Sequence, residues 1–378
     1  MAPTVKNPRV TFASEVPEGC FPIVGEHLVF DNSRIIDLES VPLNGGFLTQ
    51  ALLLSPEPYM RERMRPLTAQ SYSTPMVVGA PVVGTCLVKV LRSEKEGVDV
   101  GDLMYGMSHW EAYTVQPYVE GRRKYRPEDW APGTFDMDSL VLTTVPDPKG
   151  AFPLTRYCNI LGTPGMSGYV SFEKFAQAKA GETIFVSAGA SGVGSMVIQL
   201  AKAKGMKVIA SAGSDSKVEY MRSLGCDLPF NYKKTHYQEF LSQNGPVNLF
   251  YDNVGGEAFA AGLEATAPFS RVIVCGMISE YNVPIDKRFG IQNTELIFKR
   301  RLTINGFLLP DLIPEFGAKF FQDVPVMLSE GKLRSQEVVY KGIEKAAQAL
   351  VDTLTSGSDV SGGKLVVEMQ GKTMGSSA

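Results

Sequence analysis

The chain has 378 residues, 44% of them apolar and 20% charged, and a formal net charge of −3. That length is too great for one core and suits two domains, or three at most. The near-balanced charge gives no electrostatic reason to expect a nucleic acid or an anionic membrane as partner. No apolar run reaches the ~20 residues that a bilayer crossing needs. The five cysteines, Cys20, Cys86, Cys158, Cys226 and Cys275, are scattered and odd in number, and none forms a CxxC pair. They read as reduced thiols in a cytoplasmic setting. The stretch "MAPTVKNPRVTFASEVPEG" has no apolar core of signal-peptide type.

In chain order, the first 150 residues are rich in short apolar runs and turn residues. "VGAPVVGTCLVKVLRS" sets glycines before a strand-like run, and "GVDVGDLMYGM" carries turn glycines at 97, 101 and 106. Short strands at this spacing predict a small barrel. Residues 116–148 favour neither strand nor helix and read as a surface excursion. The basic clusters at 121–126 and 298–301 read as solvated faces or helix ends.

The pattern then changes. "GETIFVS" is a strand, and "VGSMVIQLAKAKG" a helix ending at Gly205. "KVIASA" is a strand, and "DSKVEYMRSLG" a helix ending at Gly225. "VNLFYDNVGG" is a strand and turn, and "SRVIVCGM" a further strand. Strands alternating with helices of this length predict βαβ units and a parallel sheet. After about 333 the first pattern returns. "YKGIEKAAQALVDTL" puts Ile343, Ala347, Leu350 and Leu354 on one helical face, and "GGKLVVEM" is a closing strand. The expected layout is a split domain, 1–153 plus 334–378, with a nucleotide domain, 154–333, inserted. The final "GKTMGSSA" reads as a frayed tail.

The inserted domain carries a nucleotide signature. An apolar strand leads into glycines at 189, 192 and 194, and a helix follows without a break. A turn of small residues lets backbone approach a pyrophosphate, which the helix N-terminus attracts. Ser191 replaces the middle glycine, so Ser191, Gly192, Val193 and Gly194 are the candidate phosphate contacts. An enzyme using NADH places a carboxylate after the second strand to meet the ribose 2′-hydroxyl. Here "KVIASA" ends at Ala212, and Asp215 already opens the next helix as an N-cap candidate. Ala212 leaves room for a 2′-phosphate, and Ser214, Lys217 and Tyr232 are candidate donors to it. This favours NADPH over NADH.

A catalytic zinc needs several Cys, His or carboxylate ligands, and a structural one usually four clustered cysteines. The chain has three histidines, His27, His109 and His236, and no cysteine cluster. A zinc alcohol dehydrogenase is therefore not expected. The blocks "SPEPYMRERM", "GTPGMSGYVSFEKF", "AGSDSKVEYMRSLGCDLPFNYKK", "FYDNVGGEAF", "VIVCGMISEYN" and "KRRLTINGFLLPDL" follow one another in order over about residues 50–370. Together they resemble the zinc-independent medium-chain dehydrogenase/reductases. The nearest branch is the NADPH-dependent alkenal/one double-bond reductases, with their leukotriene B4 12-hydroxydehydrogenase/prostaglandin reductase and plant enal reductase members.

The resemblance implies an α/β fold, with a Rossmann-type doubly wound parallel sheet domain inserted in a β-rich GroES-like domain. It also implies a homodimer and reduction of the C=C bond of an α,β-unsaturated aldehyde or ketone. It assigns Asn253 and the run Cys275, Gly276, Met277, Ile278, Ser279 to ribose and nicotinamide. Phe307, Leu308 and Leu309 would meet the carboxamide, and Tyr281 and Tyr59 the substrate. Ser361 stands where the family commonly has a cofactor-contacting asparagine, and the 116–148 excursion is longer than the family pattern. Two alternatives stay open: a quinone or ketone reductase on the same scaffold, and an NADPH-binding sensor without catalysis.

Overall fold

The computed structural model describes residues 4–66, 69, 71–118, 136, 141–355 and 362–369. Ser361, the basic cluster 121–126, most of the 116–148 segment and the final residues lie outside the described residues. The chain divides into two compact units. One comprises 1–158, 339–358 and 365–378; the other comprises 159–338 and 359–364.

The first unit opens with β1 (Val5–Lys6), β2 (Arg9–Phe12), β3 (Leu28–Asp31) and β4 (Ile35–Ile36), which pair as β1–β4 and β2–β3. Its main sheet begins with β5 (Phe47–Leu54), β6 (Val83–Ser93), β7 (Leu103–His109), β8 (Tyr113–Gln116) and β9 (Thr143–Val145), all antiparallel. Two expectations change here. Thr143–Val145, placed in a surface excursion, is a strand paired with β7. Gly106, read as a turn glycine, lies inside β7. A Cβ there would meet the Val141 carbonyl at 2.5 Å, so the crossing of residues 141–142 requires the glycine.

The second unit is an alternation. Helix α1 (Thr163–Phe175) leads to β10 (Thr183–Val186), α2 (Gly192–Ala203), β11 (Lys207–Ala212), α3 (Asp215–Ser223) and β12 (Leu228–Asn231). Then come α4 (Tyr237–Asn244), β13 (Val247–Asp252), α5 (Gly256–Ala265), β14 (Thr266–Val274), α6 (Leu296–Lys299), β15 (Thr303–Gly306) and α7 (Leu309–Ser329). The six strands are all parallel, in the order β12-β11-β10-β13-β14-β15. A parallel sheet buried on both faces needs apolar residues in unbroken runs. Ile184, Phe185 and Val186 supply one, each with no exposed surface. Gly205 (φ 73°) and Gly225 (φ 90°) take the left-handed conformation just past α2 and α3, where L side chains are strained. The order reverses between β10 and β13, so the carboxyl ends of β10, β11, β13 and β14 bound the crevice where open α/β sheets bind ligands.

The chain returns to the first unit through β16 (Glu337–Lys341), α8 (Ala346–Thr355) and β17 (Lys364–Glu368). These complete a sheet ordered β16-β17-β5-β6-β7-β9, with β8 on β5. Ala347, Leu350 and Leu354 of α8, with Ile343 before it, are buried in the core with Val10, Phe12, Leu54 and Trp110. No described helix is long and apolar enough to cross a membrane.

Candidate active site

The turn after β10 is built by close approach. Ser191 caps α2, and its hydroxyl accepts from the Gly194 N–H at 3.0 Å. A Cβ on Gly194 would lie 2.4 Å from the Ala188 carbonyl, and one on Gly192 would lie 2.7 Å from Asn159 Oδ1 and Pro164 Cβ. On Gly189 it would meet Met221 Sδ at 2.7 Å and Ala210 Cβ at 2.8 Å. None of the three glycines has a left-handed φ; that conformation falls on Ala188 (φ 49°). So this is a tightly folded N-terminus of α2, with Val193 half-buried in its first turn. The free N–H groups of such a turn suit an anionic ligand.

At the end of β11, Ala212 is buried and Ser214 is the N-cap of α3, its hydroxyl facing the Lys217 N–H at 3.4 Å. This corrects the expectation that Asp215 caps the helix. Asp215 instead accepts from Asn231 Nδ2 at 2.9 Å and pairs with Lys234. Those contacts, the Lys234 ammonium first, hold its carboxyl below the usual range. Tyr232 stacks on Tyr237, and its hydroxyl lies over Gly213, 3.0 Å from a Cβ built there. Ser214, Lys217 and Tyr232 are thus gathered around Ala212–Gly213, with no unpaired carboxylate among them.

The ends of β13 and β14 are locked partly by Ser187 and Asp252, which sequence reading did not assign. The fully buried Asp252 accepts from Ser187 Oγ at 2.7 Å and from the N–H groups of Val254 and Gly255 at 3.1 and 2.9 Å. The Asn253 side chain donates to the Ser187 carbonyl at 2.8 Å. Ile278 and Ser279 donate back to the Asn253 and Val254 carbonyls. A Cβ on Gly255 would strike Met277 Cβ at 2.7 Å, which accounts for a glycine there. The thiol of Cys275 hydrogen-bonds the buried Tyr251 hydroxyl, which reaches Ser171 Oγ at 2.8 Å. Burial pushes that thiol up to about 12.

Glu280 is buried, with its carboxylate taking Ser279 Oγ at 3.2 Å and the Phe289 N–H at 3.3 Å. It anchors the turn that carries Tyr281. The Tyr281 hydroxyl folds back over Gly276, 3.2 Å from a Cβ built on that glycine. The Phe307 ring packs against Phe175, Leu308 caps α7, and Leu309 begins it. The carboxyl edge of this sheet therefore carries Ser191–Gly194, Ser214, Tyr232, Asn253, Cys275–Ser279 and Tyr281.

Asp252 has a pH consequence. Burial outweighs its three donors and raises its pKa from 3.8 to about 6. A raised folded-state pKa means the native protein holds a proton that the unfolded chain has released. Its stabilisation is full below pH 4 and is lost as pH rises through about 6. Chemical unfolding followed from pH 4 to 7 should show a decline of roughly 1–3 kcal/mol from this group. Asp252→Asn should flatten that decline, because the amide has no proton to lose. An equally steep profile in the variant would assign it to other groups.

Tyr59 belongs to the first unit, on a 3-10 turn, Pro58–Arg63. Its hydroxyl meets Met107 Sδ at 3.5 Å, and its ring packs with Val83, Met107 and Tyr118. Arg61 and Arg63, in the second half of the same turn, are buried and donate to backbone carbonyls, Pro17 and Cys20 for one, Thr74 and Val83 for the other. Among the described residues, no group of three or more His, Cys, Asp or Glu could hold a metal ion. His109 pairs with Glu111 at 3.1 Å, and His27 Nδ1 accepts from the Ile23 N–H.

A parallel sheet with a glycine turn at its reversal point, in a chain that also holds a separate antiparallel unit, is the arrangement of a two-domain dinucleotide-binding protein. Residues 192–324 match the family model for zinc-binding dehydrogenases, and residues 35–121 match that for the N-terminal domain of oxidoreductases. The chain belongs to the medium-chain dehydrogenase/reductase family, in its alkenal reductase branch. It is 34% identical to the NADP-dependent oxidoreductase RED1 of Cochliobolus heterostrophus, over 85% of this chain and 87% of that protein. It is 35% identical to a 2-alkenal reductase (NADP(+)-dependent) of Nicotiana tabacum, over 84% and 85%. Among solved structures, CurA from Vibrio vulnificus in complex with NADPH superposes with a TM-score of 0.77. That match has 25% identity and covers 96% of this chain and 99% of CurA.

Proposed function

We propose that the protein is an NADPH-dependent reductase of the C=C bond of α,β-unsaturated aldehydes and ketones, working without zinc. The observation that carries this reading is Tyr281, a hydroxyl folded over Gly276 at the carboxyl end of β14. The names of the tobacco and Cochliobolus relatives support both the cofactor and the bond.

The residues present fit the cofactor. The N–H groups at the start of α2 would meet the pyrophosphate. Ser214, Lys217 and Tyr232 would meet a phosphate on the adenosine ribose, since Asp215, three residues past Ala212, is neutralised by Lys234. Asn253 and Cys275–Ser279 would line the ribose and nicotinamide, and Phe307–Leu309 the carboxamide. Bound NADPH supplies a hydride, and the acceptor takes it at its β-carbon.

The rest is the work of this chain. Negative charge grows on the acceptor's carbonyl oxygen as its enolate forms. A donor already in place when that charge develops lowers the barrier. A tyrosine hydroxyl stays a neutral donor near pH 7. Tyr281 is assigned that role, and Tyr59 a place at the substrate. A proton then reaches the α-carbon from a hydroxyl or water.

Following NADPH oxidation at fixed enzyme with an enal, a quinone and a simple ketone tests the reading. Turnover with the enal, giving the saturated carbonyl and surviving exhaustive chelation, is the expected result. Turnover confined to the quinone or the ketone would replace it with reduction of those groups. NADPH binding with no turnover of any acceptor would point to a sensor.

A further inference from the structure

Three lysines surround the end of β11, and the structure separates their roles. Lys234 is committed to Asp215. Lys217 lies in the first turn of α3, with its backbone N–H on the Ser214 cap. Lys233 lies between Tyr232 and Lys234, and its exposed side chain runs past Gly213. A Cβ built on Gly213 would lie 3.3 Å from Lys233 Cε, beside the Tyr232 hydroxyl at 3.0 Å. Gly213 is the single residue between the end of β11 and the Ser214 cap.

This placement is held by the backbone. Tyr232 donates to the Ala212 carbonyl at 3.1 Å, Lys233 to Asn231 Oδ1 at 3.1 Å, and Lys234 to the Asn231 carbonyl at 3.0 Å. Asn231 in turn donates from Nδ2 to Asp215 at 2.9 Å. The turn 231–234 is therefore tied at both ends to residues 212–215. Among the described residues, the Lys233 ammonium makes no ion pair with a carboxylate. Asp215 has its charge matched by Lys234, and Asp227, six residues before Lys233, has its charge matched by Lys202, so little of the Lys233 charge is cancelled.

We propose that Lys233 is a specificity-determining residue for a phosphomonoester bound at the end of β11, the 2′-phosphate of the adenosine dinucleotide. This rests on the cofactor reading above and adds a cation to it. A dianionic phosphate offers more acceptors than Lys217 and the Tyr232 hydroxyl can fill. A second ammonium on the side where the Tyr232 hydroxyl lies answers that excess charge. The same ammonium has nothing to gain from an unphosphorylated ribose, so its contribution is a difference between the two cofactors. Lys233 is exposed, and solvent screens the interaction to a modest size.

Calorimetric titration of Lys233→Met with NADPH, NADH, 2′,5′-ADP and 5′-AMP tests this. The methionine keeps most of the stem and removes the charge. NADPH and 2′,5′-ADP should each bind about 3–10-fold more weakly, with NADH and 5′-AMP within about twofold of wild type. The loss should shrink at high salt. Lys233→Arg should keep most of the preference. Unchanged NADPH affinity in Lys233→Met, or equal loss for NADPH and NADH, would overturn the proposal. Lys217→Met separates it from the cofactor reading. If Lys217→Met loses the preference and Lys233→Met keeps it, the reading stands and Lys233 has no part in it. If wild type itself shows no preference for NADPH and does not bind 2′,5′-ADP, both fall.

Discussion

Gly194→Ala is expected to weaken NADPH and NADH together by more than about 10-fold and to destabilise the fold by roughly 1–3 kcal/mol. The added Cβ would stand 2.4 Å from the Ala188 carbonyl oxygen, 2.7 Å from Gly189 Cα and 3.0 Å from its carbonyl carbon. All three are backbone atoms, so no rotamer change relieves the clash and the turn itself must move. Ala188 is already in a left-handed conformation, which leaves it little room to adjust. Moving Gly194 also pulls its N–H from Ser191 Oγ, and losing such a cap costs about 1 kcal/mol. The N–H groups that would meet the pyrophosphate turn with the first turn of α2. Both dinucleotides carry that pyrophosphate, so both lose affinity, unlike the selective loss expected at Lys233. Thermal denaturation and calorimetric titration of the variant read the two effects separately. Wild-type affinity with wild-type stability would show that the turn tolerates a Cβ and that close approach is not why Gly194 is there.

What could be read from sequence is what is local. The run from 183 to 225 shows its strands and helices because apolar residues, glycine stops and cap residues follow one another without interruption. Gly205 and Gly225 end α2 and α3 in left-handed conformations, as their positions suggest. The cap of α3 is a different case. Ser214 and Asp215 are both good N-cap types, and nothing local separates them. The choice is made by Asn231 and Lys234, which draw Asp215 aside from 16 and 19 residues away.

The same limit hid Ser187 and Asp252, 65 residues apart in sequence and 2.7 Å apart where the adjacent strands β10 and β13 end. The place of Gly106 within a strand is not legible locally, because the residues that crowd it, 141 and 142, arrive from a distant part of the chain. Helix α7 lies outside the elements expected from sequence. Pro314 and Pro325 interrupt its pattern, although Leu312, Phe320 and Val324 still bury one face.

Tyr281→Phe is expected to lower turnover of an enal by roughly 10–1000-fold while leaving NADPH affinity near that of wild type. The substitution removes one hydroxyl and keeps the ring. The turn beneath it depends on Glu280 with Ser279 and the Phe289 N–H, and on Ser279 with the Val254 carbonyl; none of these contacts uses the Tyr281 hydroxyl. A fall in turnover with NADPH affinity and stability kept would be chemical rather than structural. A donor to the acceptor's oxygen gains most as negative charge reaches that oxygen, so kcat falls and KM changes little. The low end of the range applies where water takes the donor's place. Product analysis in the same experiment identifies the bond. With NADPH deuterated at C4, label should appear at the β-carbon of a saturated aldehyde or ketone. Label at the carbonyl carbon, in an allylic alcohol, would mean carbonyl reduction and would sink the proposed function. Unchanged kcat in Tyr281→Phe with label at the β-carbon would keep the bond and move the donor elsewhere, to Tyr59 or to a hydroxyl of the nicotinamide ribose.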